Sequence, residues 1–293
     1  MVDALRHIEY KENEALSRHC TFRVGGNADL LILPKDREEL LTAINYCKAS
    51  GMKYMIIGNG SNLLFDDNGY RGAIIKISSN MSEVRIDGEY VYAEAGALLS
   101  KIARGVAAAA LTGMEFAAGI PGTLGGAVCM NAGAYGGEMK DIIETVDVLT
   151  PEGDVKTYSA QEMDFSYRHS LLSDEPEMIV LGAVLKLATG NIEDIESKMK
   201  ELADARISKQ PLEYPSAGST FKRPEGYFAG KLIQDSGLRG YRVGGACVSE
   251  KHCGFVINYD HATSADIKQL IADVQDKVYE QFGVRLETEV KII

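Results

Sequence analysis

Several features that mark whole protein classes are scarce or missing in this chain of 293 residues. Its 5 cysteines, Cys20, Cys47, Cys129, Cys247 and Cys253, are scattered and form no C-x-x-C pair, so neither a disulfide framework nor a cysteine zinc site is expected. This usage predicts a reducing, cytoplasmic setting. No apolar run approaches the ~18 residues of a membrane helix. The segment Met1 to Tyr10 carries Asp3, Arg6, His7 and Glu9, which argues against a signal peptide. Positive charge is in deficit: 31 Lys and Arg stand against 42 Asp and Glu, a net charge of −11, which disfavours nonspecific binding to nucleic acid or anionic membrane. The histidines His7, His19, His169, His252 and His261 show no ligand spacing, so no metal is expected. Proline is also sparse, with 7 residues against 30 glycines, so the glycine content is not that of a Pro-Gly linker.

What is present fits an ordinary globular protein, 45% hydrophobic and 25% charged, and long enough for about two domains. Asp36 to Ser50 predicts a helix, with Asp36 and Glu39 in capping-box spacing and Gly51 as the stop. Lys53 to Ile57 and Ala73 to Ile77 predict strands joined by the loop between them. Asp87-Gly88 and Pro151-Glu152-Gly153 predict hairpins, and Met178 to Leu187 a buried strand. Leu98 to Leu111 predicts a helix stopped at Gly113. After the polar stretch Ala188 to Asp194 the pattern changes. Amphipathic helices are expected around Ile192–Leu202 and Ile267–Phe282, with strands at Ala246–Val248, Gly254–Asn258 and Val284–Ile293. The fold class is α+β, divided as 1–80, 81–190 and 191–293.

Two glycine loops stand out. Gly58-Asn59-Gly60-Ser61-Asn62-Leu63 follows a strand, as a dinucleotide-binding turn does, but Leu63 replaces the third glycine of the Rossmann fingerprint and a further strand replaces its helix. Gly119-Ile120-Pro121-Gly122-Thr123-Leu124-Gly125-Gly126 lacks the Lys-Ser/Thr ending of a P-loop. Both can still present successive backbone N–H groups to an anion, or they can be tight turns. The stretch Asn131-Ala132-Gly133-Ala134-Tyr135-Gly136-Gly137 adds a third cluster.

The segments GNGSNLL (58–64), GIPGTLGGAVCMNAGAYGGE (119–138), SYRHS (166–170), PSAGSTFKRP (215–224) and LETEVKII (286–293) together resemble the UDP-N-acetylenolpyruvoylglucosamine reductases of peptidoglycan precursor synthesis. The matches span nearly the whole chain in the family's order. The resemblance implies a two-subdomain FAD-binding fold of the vanillyl-alcohol oxidase type and a smaller C-terminal α+β substrate domain that brings Glu289 to the active site. It also implies an oxidoreductase that passes hydride from NADPH through FAD to a UDP-sugar enolpyruvyl ether. His169 is the sole histidine within residues 22–190, so noncovalent FAD is expected.

Carried over residue by residue, the resemblance makes Ser219 the proton donor, Arg168 the carboxylate-binding cation and Glu289 a polarising group; the bland alternatives are a turn serine, a surface ion pair and a solvated strand face. Ile57 to Leu63, Gly119 to Thr123, Gly125, Gly126, Asn131, Gly133, Ala134 and Val180 would hold the cofactor. Tyr167, Lys209, Arg223, Lys231 and His252 would contact substrate. From Lys209 to Lys251 seven basic residues face four acidic ones, a local +3 in a remainder of −14, which suits a diphosphate. After SYRHS the chain runs directly into SLLSDEPEMIVLG, without the tyrosine-bearing insertion of the family's longer class, so the chain resembles the shorter class. No nucleic acid, membrane or obligate protein partner is expected. Two rivals remain: a flavin oxidase of an alcohol or hydroxy acid, and a noncatalytic nucleotide-binding module.

Overall fold

A computed structural model describes residues 5–293. The elements run β1 (Glu9–Ala15), β2 (Asn27–Leu33), α1 (Arg37–Ser50), β3 (Tyr54–Ile57), β4 (Leu63–Leu64), β5 (Tyr70–Lys76), β6 (Val84–Asp87), β7 (Tyr90–Glu94), α2 (Leu99–Ala108), β8 (Leu111–Thr112) and α3 (Leu124–Cys129). They continue through β9 (Gly133–Ala134), β10 (Gly137–Glu138), β11 (Ile143–Leu149), β12 (Val155–Ser159), α4 (Leu171–Asp174), β13 (Ile179–Lys186), β14 (Ala188–Thr189) and α5 (Ile192–Lys209). The last are α6 (Ala229–Asp235), β15 (Arg242–Val243), β16 (Ala246–Val248), β17 (Val256–Asn258), α7 (Ser264–Phe282) and β18 (Lys291–Ile292). This is the expected α+β class.

The chain forms two compact units. The first comprises the chain up to Lys11, Leu31–Asn59 and Ala73–Arg206; the second comprises Glu12–Leu30, Gly60–Gly72 and Ile207–Ile293. The chain therefore passes from one to the other within β1, β2, β5 and α5, and between Asn59 and Gly60.

In the first unit, β12-β11-β13-β7-β6 form an antiparallel sheet, and β3 pairs with β5 in parallel. Val146, Val148, Ala183 and Leu185 are buried along β11 and β13, where α3 packs. Gly182 is required in β13 because a Cβ there would lie 2.8 Å from the Ala93 carbonyl of β7. Helix α1 begins as its sequence predicts: the Asp36 carboxylate accepts the Glu39 N–H at 2.8 Å, and Gly51 closes the helix at φ +64°.

In the second unit, α7 covers the antiparallel sheet β15-β16-β17 and packs against α6. Its Ile267, Leu270, Ile271, Val274 and Val278 form one buried stripe; burying each contributes roughly 1.5–3 kcal/mol. A Thr263–Asp266 capping box starts the helix, and the Asp67 carboxylate accepts the N–H groups of Ser264 and Ala265 at 2.7 and 2.9 Å.

Two elements differ from expectation. The helix predicted to Leu111 ends at Ala108: Ala110 turns left-handed at φ +58°, and Leu111–Thr112 leave as β8 to pair with β14. The alanine run has high helix propensity, but strand pairing overrides it. The strand predicted over Val284–Ile293 is regular only at Lys291–Ile292, which pair in parallel with Leu63–Leu64. Before that the chain bonds to the segment around Thr220, through Lys222 N–H to Glu287 O and Glu289 N–H to Thr220 O.

Candidate active site

The first unit joins the two glycine loops. Asn59 Nδ2 donates to the Pro121 carbonyl at 2.6 Å, and a Cβ on Gly58 would lie 2.2 Å from Thr123 Oγ1. The loops approach this closely because Gly58 has no side chain. Ile57, buried at the end of β3, anchors the first loop. The second is tied down as Leu124 and Gly125 donate their N–H groups to Ala97 O and Ala95 O, both at 2.8 Å. Gly125 meets the residue after β7 so closely that a Cβ would lie 3.0 Å from Ala95 Cβ, whereas Gly126 faces only Thr123 Oγ1 at 3.7 Å. Among the described residues, the N–H groups of Gly58, Asn59, Gly122 and Thr123 make no hydrogen bond. Free N–H groups on touching glycine loops form an anion-binding concavity, so these residues fit a cofactor diphosphate.

Asn131, Gly133 and Ala134 shape the neighbouring wall. Asn131 is fully buried at φ +43°. Its amide donates to Glu138 Oε2 at 3.0 Å and to the Ser166 carbonyl at 2.9 Å, while its Oδ1 accepts the Lys140 N–H at 2.9 Å. That side chain is committed to protein partners, so its effect on a cofactor is to position the loop. Gly133 and Ala134 form a hairpin with Gly137–Glu138, with Tyr135 left-handed at φ +52° at the tip. Ser166 and His169 exchange backbone hydrogen bonds, lifting Tyr167 and Arg168 onto a tight turn. Arg168 is left-handed at φ +56°, a conformation costly for a non-glycine residue and concentrated at functional sites. Its Nη2 donates to Gly133 O at 3.3 Å, which joins the YR turn to the third glycine cluster. Val180 is buried opposite Val148, and its side chain belongs to the sheet core.

The second unit assembles Ser219, Glu289 and the remainder of the first glycine loop. Thr220, beside Ser219, is held from three sides: its N–H donates to Gly254 O at 2.8 Å, its carbonyl accepts the Glu289 N–H at 2.8 Å, and its Oγ1 accepts the Val256 N–H at 2.9 Å. Gly218 precedes Ser219 at φ +75° with open space on its Cβ side. Asn62 Nδ2 donates to the Glu289 carbonyl at 3.0 Å, and Leu63 pairs with Lys291. Gly60, at φ +63°, packs on the His19 backbone, and Ser61 bridges it to Asn62. Ser219 and Glu289 are thus brought together by the backbone hydrogen bond between Glu289 and Thr220.

His252 is half-buried, and its Nδ1 accepts the Gly254 N–H at 3.1 Å, which leaves the ring proton on Nε2. Burial pushes its pKa below the ordinary histidine value. The ring fits because Gly230 and Gly254 lack side chains: a Cβ on either would lie 3.3 or 2.9 Å from His252 Cε1. Lys231 is ion-paired with Asp235 at 2.6 Å one turn along α6. Arg223 lies over the Phe228 ring at 4.0 Å, and Lys209 ends α5 on an exposed face. The local basic excess is partly answered in place, since Lys222 pairs with Glu287 and Lys251 with Glu213.

Sequence reasoning missed Thr220 and Arg206. Thr220 looks like any turn threonine. Arg206 packs against Gly119, where a Cβ would lie 3.0 Å from its Cδ, but the helical sequence does not set it apart from Lys198 or Lys200. No described group of three His, Cys, Asp or Glu could hold a metal, and no described helix is long and apolar enough to cross a membrane.

The joined glycine loops fit a cofactor diphosphate, and the match of residues 28–159 to the FAD binding domain family makes the chain an FAD-binding flavoprotein. Residues 210–293 match the C-terminal domain of UDP-N-acetylenolpyruvoylglucosamine reductase. The chain is 52% identical to the enzyme of that name from Caldanaerobacter subterraneus subsp. tengcongensis, over 100% of this chain and 98% of the relative. It is 48% identical to that from Clostridioides difficile, over 100% and 96%. The crystal structure of the Thermus caldophilus enzyme is similar at TM-score 0.83 and 36% identity, over 97% of this chain and 98% of that one. The chain belongs to the UDP-N-acetylenolpyruvoylglucosamine reductase family.

Proposed function

We propose that this protein is an FAD-dependent reductase that converts UDP-N-acetylglucosamine enolpyruvate to UDP-N-acetylmuramate, with NADPH as hydride donor, in peptidoglycan precursor synthesis. The observation that carries the reading is the backbone clamp at Thr220, which sets Ser219 beside Glu289 in a chain belonging to this family.

FAD, when bound, accepts hydride from one substrate and delivers it to the other. Gly58, Asn59, Gly122 and Thr123 hold its diphosphate through their free N–H groups. FAD is held noncovalently: the His169 ring is engaged by Asp174 Oδ2 at 3.2 Å and the Asp164 carbonyl at 3.4 Å. Hydride addition to the terminal vinyl carbon leaves negative charge running into the substrate carboxylate. Arg168 binds that carboxylate as a planar cation, and Glu289 polarises the same region. Ser219 then gives its hydroxyl proton to the adjacent carbon. A serine hydroxyl is a weak acid, so a neighbouring cation or water must support it as it donates.

Tyr167, Lys209, Arg223, Lys231 and His252 bind the UDP-sugar, with the Nε2–H of His252 as a neutral donor. The protein works in the cytoplasm without an obligate protein partner. NADPH and enolpyruvyl substrate use one site in turn, so reciprocal initial-rate plots run parallel. The deciding experiment follows NADPH oxidation with and without UDP-N-acetylglucosamine enolpyruvate. Oxidation that depends on this substrate is expected. A colourless protein, or a flavin reoxidised rapidly by oxygen and indifferent to the substrate, overturns the reading.

A further inference from the structure

Phe228, in the second unit, is exposed where neither helix nor core requires an aromatic ring. It is 62% exposed, more than any other large hydrophobic side chain among the described residues. It occupies the N-cap of α6, and its carbonyl accepts the Lys231 and Leu232 N–H groups at 3.0 and 3.1 Å. A helix start favours Ser, Thr, Asp or Asn, whose side chain accepts a further N–H; Phe228 makes no such bond. The buried stripe of α6 is supplied by Ala229, Leu232 and Ile233. The ring therefore serves neither cap nor core, and its contact with water is unfavourable until something covers it.

The groups around the ring fix the chemistry of that cover. The Arg223 guanidinium lies 4.0 Å from the ring centroid, a contact that holds the ring plane. The turn between the two is closed by Gly226 at φ +74° and by the Tyr227 N–H on the Pro224 carbonyl at 3.1 Å. From Lys222 to Lys231 three cations stand against Glu225 alone. Two residues beyond the ring, Gly230 lies against His252 and Gly254, and the Gly254 carbonyl accepts the Thr220 N–H at 2.8 Å. An aromatic plane among cations, on the same backbone frame as His252 and Ser219, fits an anionic ligand that carries an aromatic plane of its own. We propose that Phe228 is the platform on which the uracil base of the UDP-sugar stacks, with Arg223 fixing the ring's orientation. The proposal rests on that sugar nucleotide being the substrate. Stacking needs only two flat faces, so Phe228 supplies affinity through the base and leaves the reacting carbon to other residues.

The test uses flavin-bearing holoenzyme with Phe228→Leu, which stays apolar but loses the flat face, and with Phe228→Trp, which keeps it. Titration with UDP, without turnover, reads affinity; steady-state kinetics read KM and kcat for the enolpyruvyl substrate. Phe228→Leu is expected to weaken UDP binding and raise KM by about tenfold or more, the scale of one base–aromatic stack, with kcat within about threefold of wild type. Phe228→Trp is expected to keep wild-type affinity. The chain has no tryptophan, so this variant carries a single indole whose emission UDP quenches when the base lies on it. Wild-type affinity for UDP in Phe228→Leu overturns the proposal. A loss confined to the intact sugar nucleotide also overturns it, because the sugar then covers the ring, as does an equal loss in flavin reduction by NADPH. The side chain is exposed, so the variants are expected to fold; if Phe228→Leu does not accumulate, quenching of Phe228→Trp by UDP decides alone. Wild-type protein that binds neither UDP nor the enolpyruvyl substrate fails the sugar-nucleotide reading first; wild type that binds UDP, with an indifferent Phe228→Leu, fails this inference alone.

Discussion

The carbonyl of Thr220 accepts the backbone N–H of Glu289 at 2.8 Å, and the Asn62 side chain donates to the carbonyl of the same glutamate at 3.0 Å. Glu289 is gripped at both its backbone N–H and its carbonyl. Ser219 immediately precedes the gripping residue, so its backbone is placed by the same bonds. Such placement is what the proton-donor role proposed for Ser219 requires, because a misplacement of about 1 Å can cost some hundredfold in rate.

Ser219→Ala is expected to leave reduction of the flavin by NADPH within about threefold of wild type and to lower turnover of the enolpyruvyl substrate by about 10²–10⁴. Stopped-flow absorbance separates the two half-reactions. Equal loss in both would remove Ser219 from its role.

Gly58→Ala drives a Cβ to within 2.2 Å of Thr123 Oγ1. The loops must separate, with an expected overpacking cost of about 1–3 kcal/mol and loss of bound FAD. Removing the hydroxyl in Gly58→Ala/Thr123→Ala should recover part of the flavin content. The ratio of flavin to protein absorbance reads it directly, and equal losses in single and double variants would mean the contact is not the cause.

Asn131→Ala removes the three hydrogen bonds that this fully buried side chain makes, to Glu138 Oε2, to the Ser166 carbonyl and from the Lys140 N–H. Each such bond contributes about 0.5–1.5 kcal/mol, and a left-handed backbone adds strain for alanine. The expected outcome is a clear drop in Tm, together with a higher KM for the enolpyruvyl substrate, because the Ser166 carbonyl sits at the base of the turn carrying Arg168. An unchanged KM would detach Asn131 from that turn.

His252 has a folded pKa below its ordinary value of 6.5 because burial disfavours the charged ring. The unfolded chain then binds the proton first as pH falls. Its contribution to stability is complete above about pH 6.5 and declines below that value until the folded ring also titrates. Denaturant unfolding from pH 7.5 downward should show this acid-side loss, and His252→Gln should flatten it. A wild-type curve with the same slope as the variant would exclude the histidine as its origin.

Much of the fold was legible in the sequence. Asp36 and Glu39 announce the start of α1, Gly51 its stop, and Asp87-Gly88 the turn between β6 and β7, because capping and tight turns depend on a few neighbouring atoms. The early end of α2 was hidden, since Leu111–Thr112 are extended by a partner strand at Ala188–Thr189.

The site divides along the same line. Residue types and spacing by themselves determined the family, the glycine loops and the candidates Ser219, Arg168 and Glu289, because chemical identity is carried in the side chains. Only tertiary structure decided that Gly58 faces Thr123, that Asn131 serves the loop through three protein partners, and that Arg206 rests unpaired on Gly119. The physical reason is range. Caps and turns are satisfied within a few residues, whereas desolvation and close approach depend on which distant backbone fills the space beside a side chain, and only the folded chain brings that backbone there.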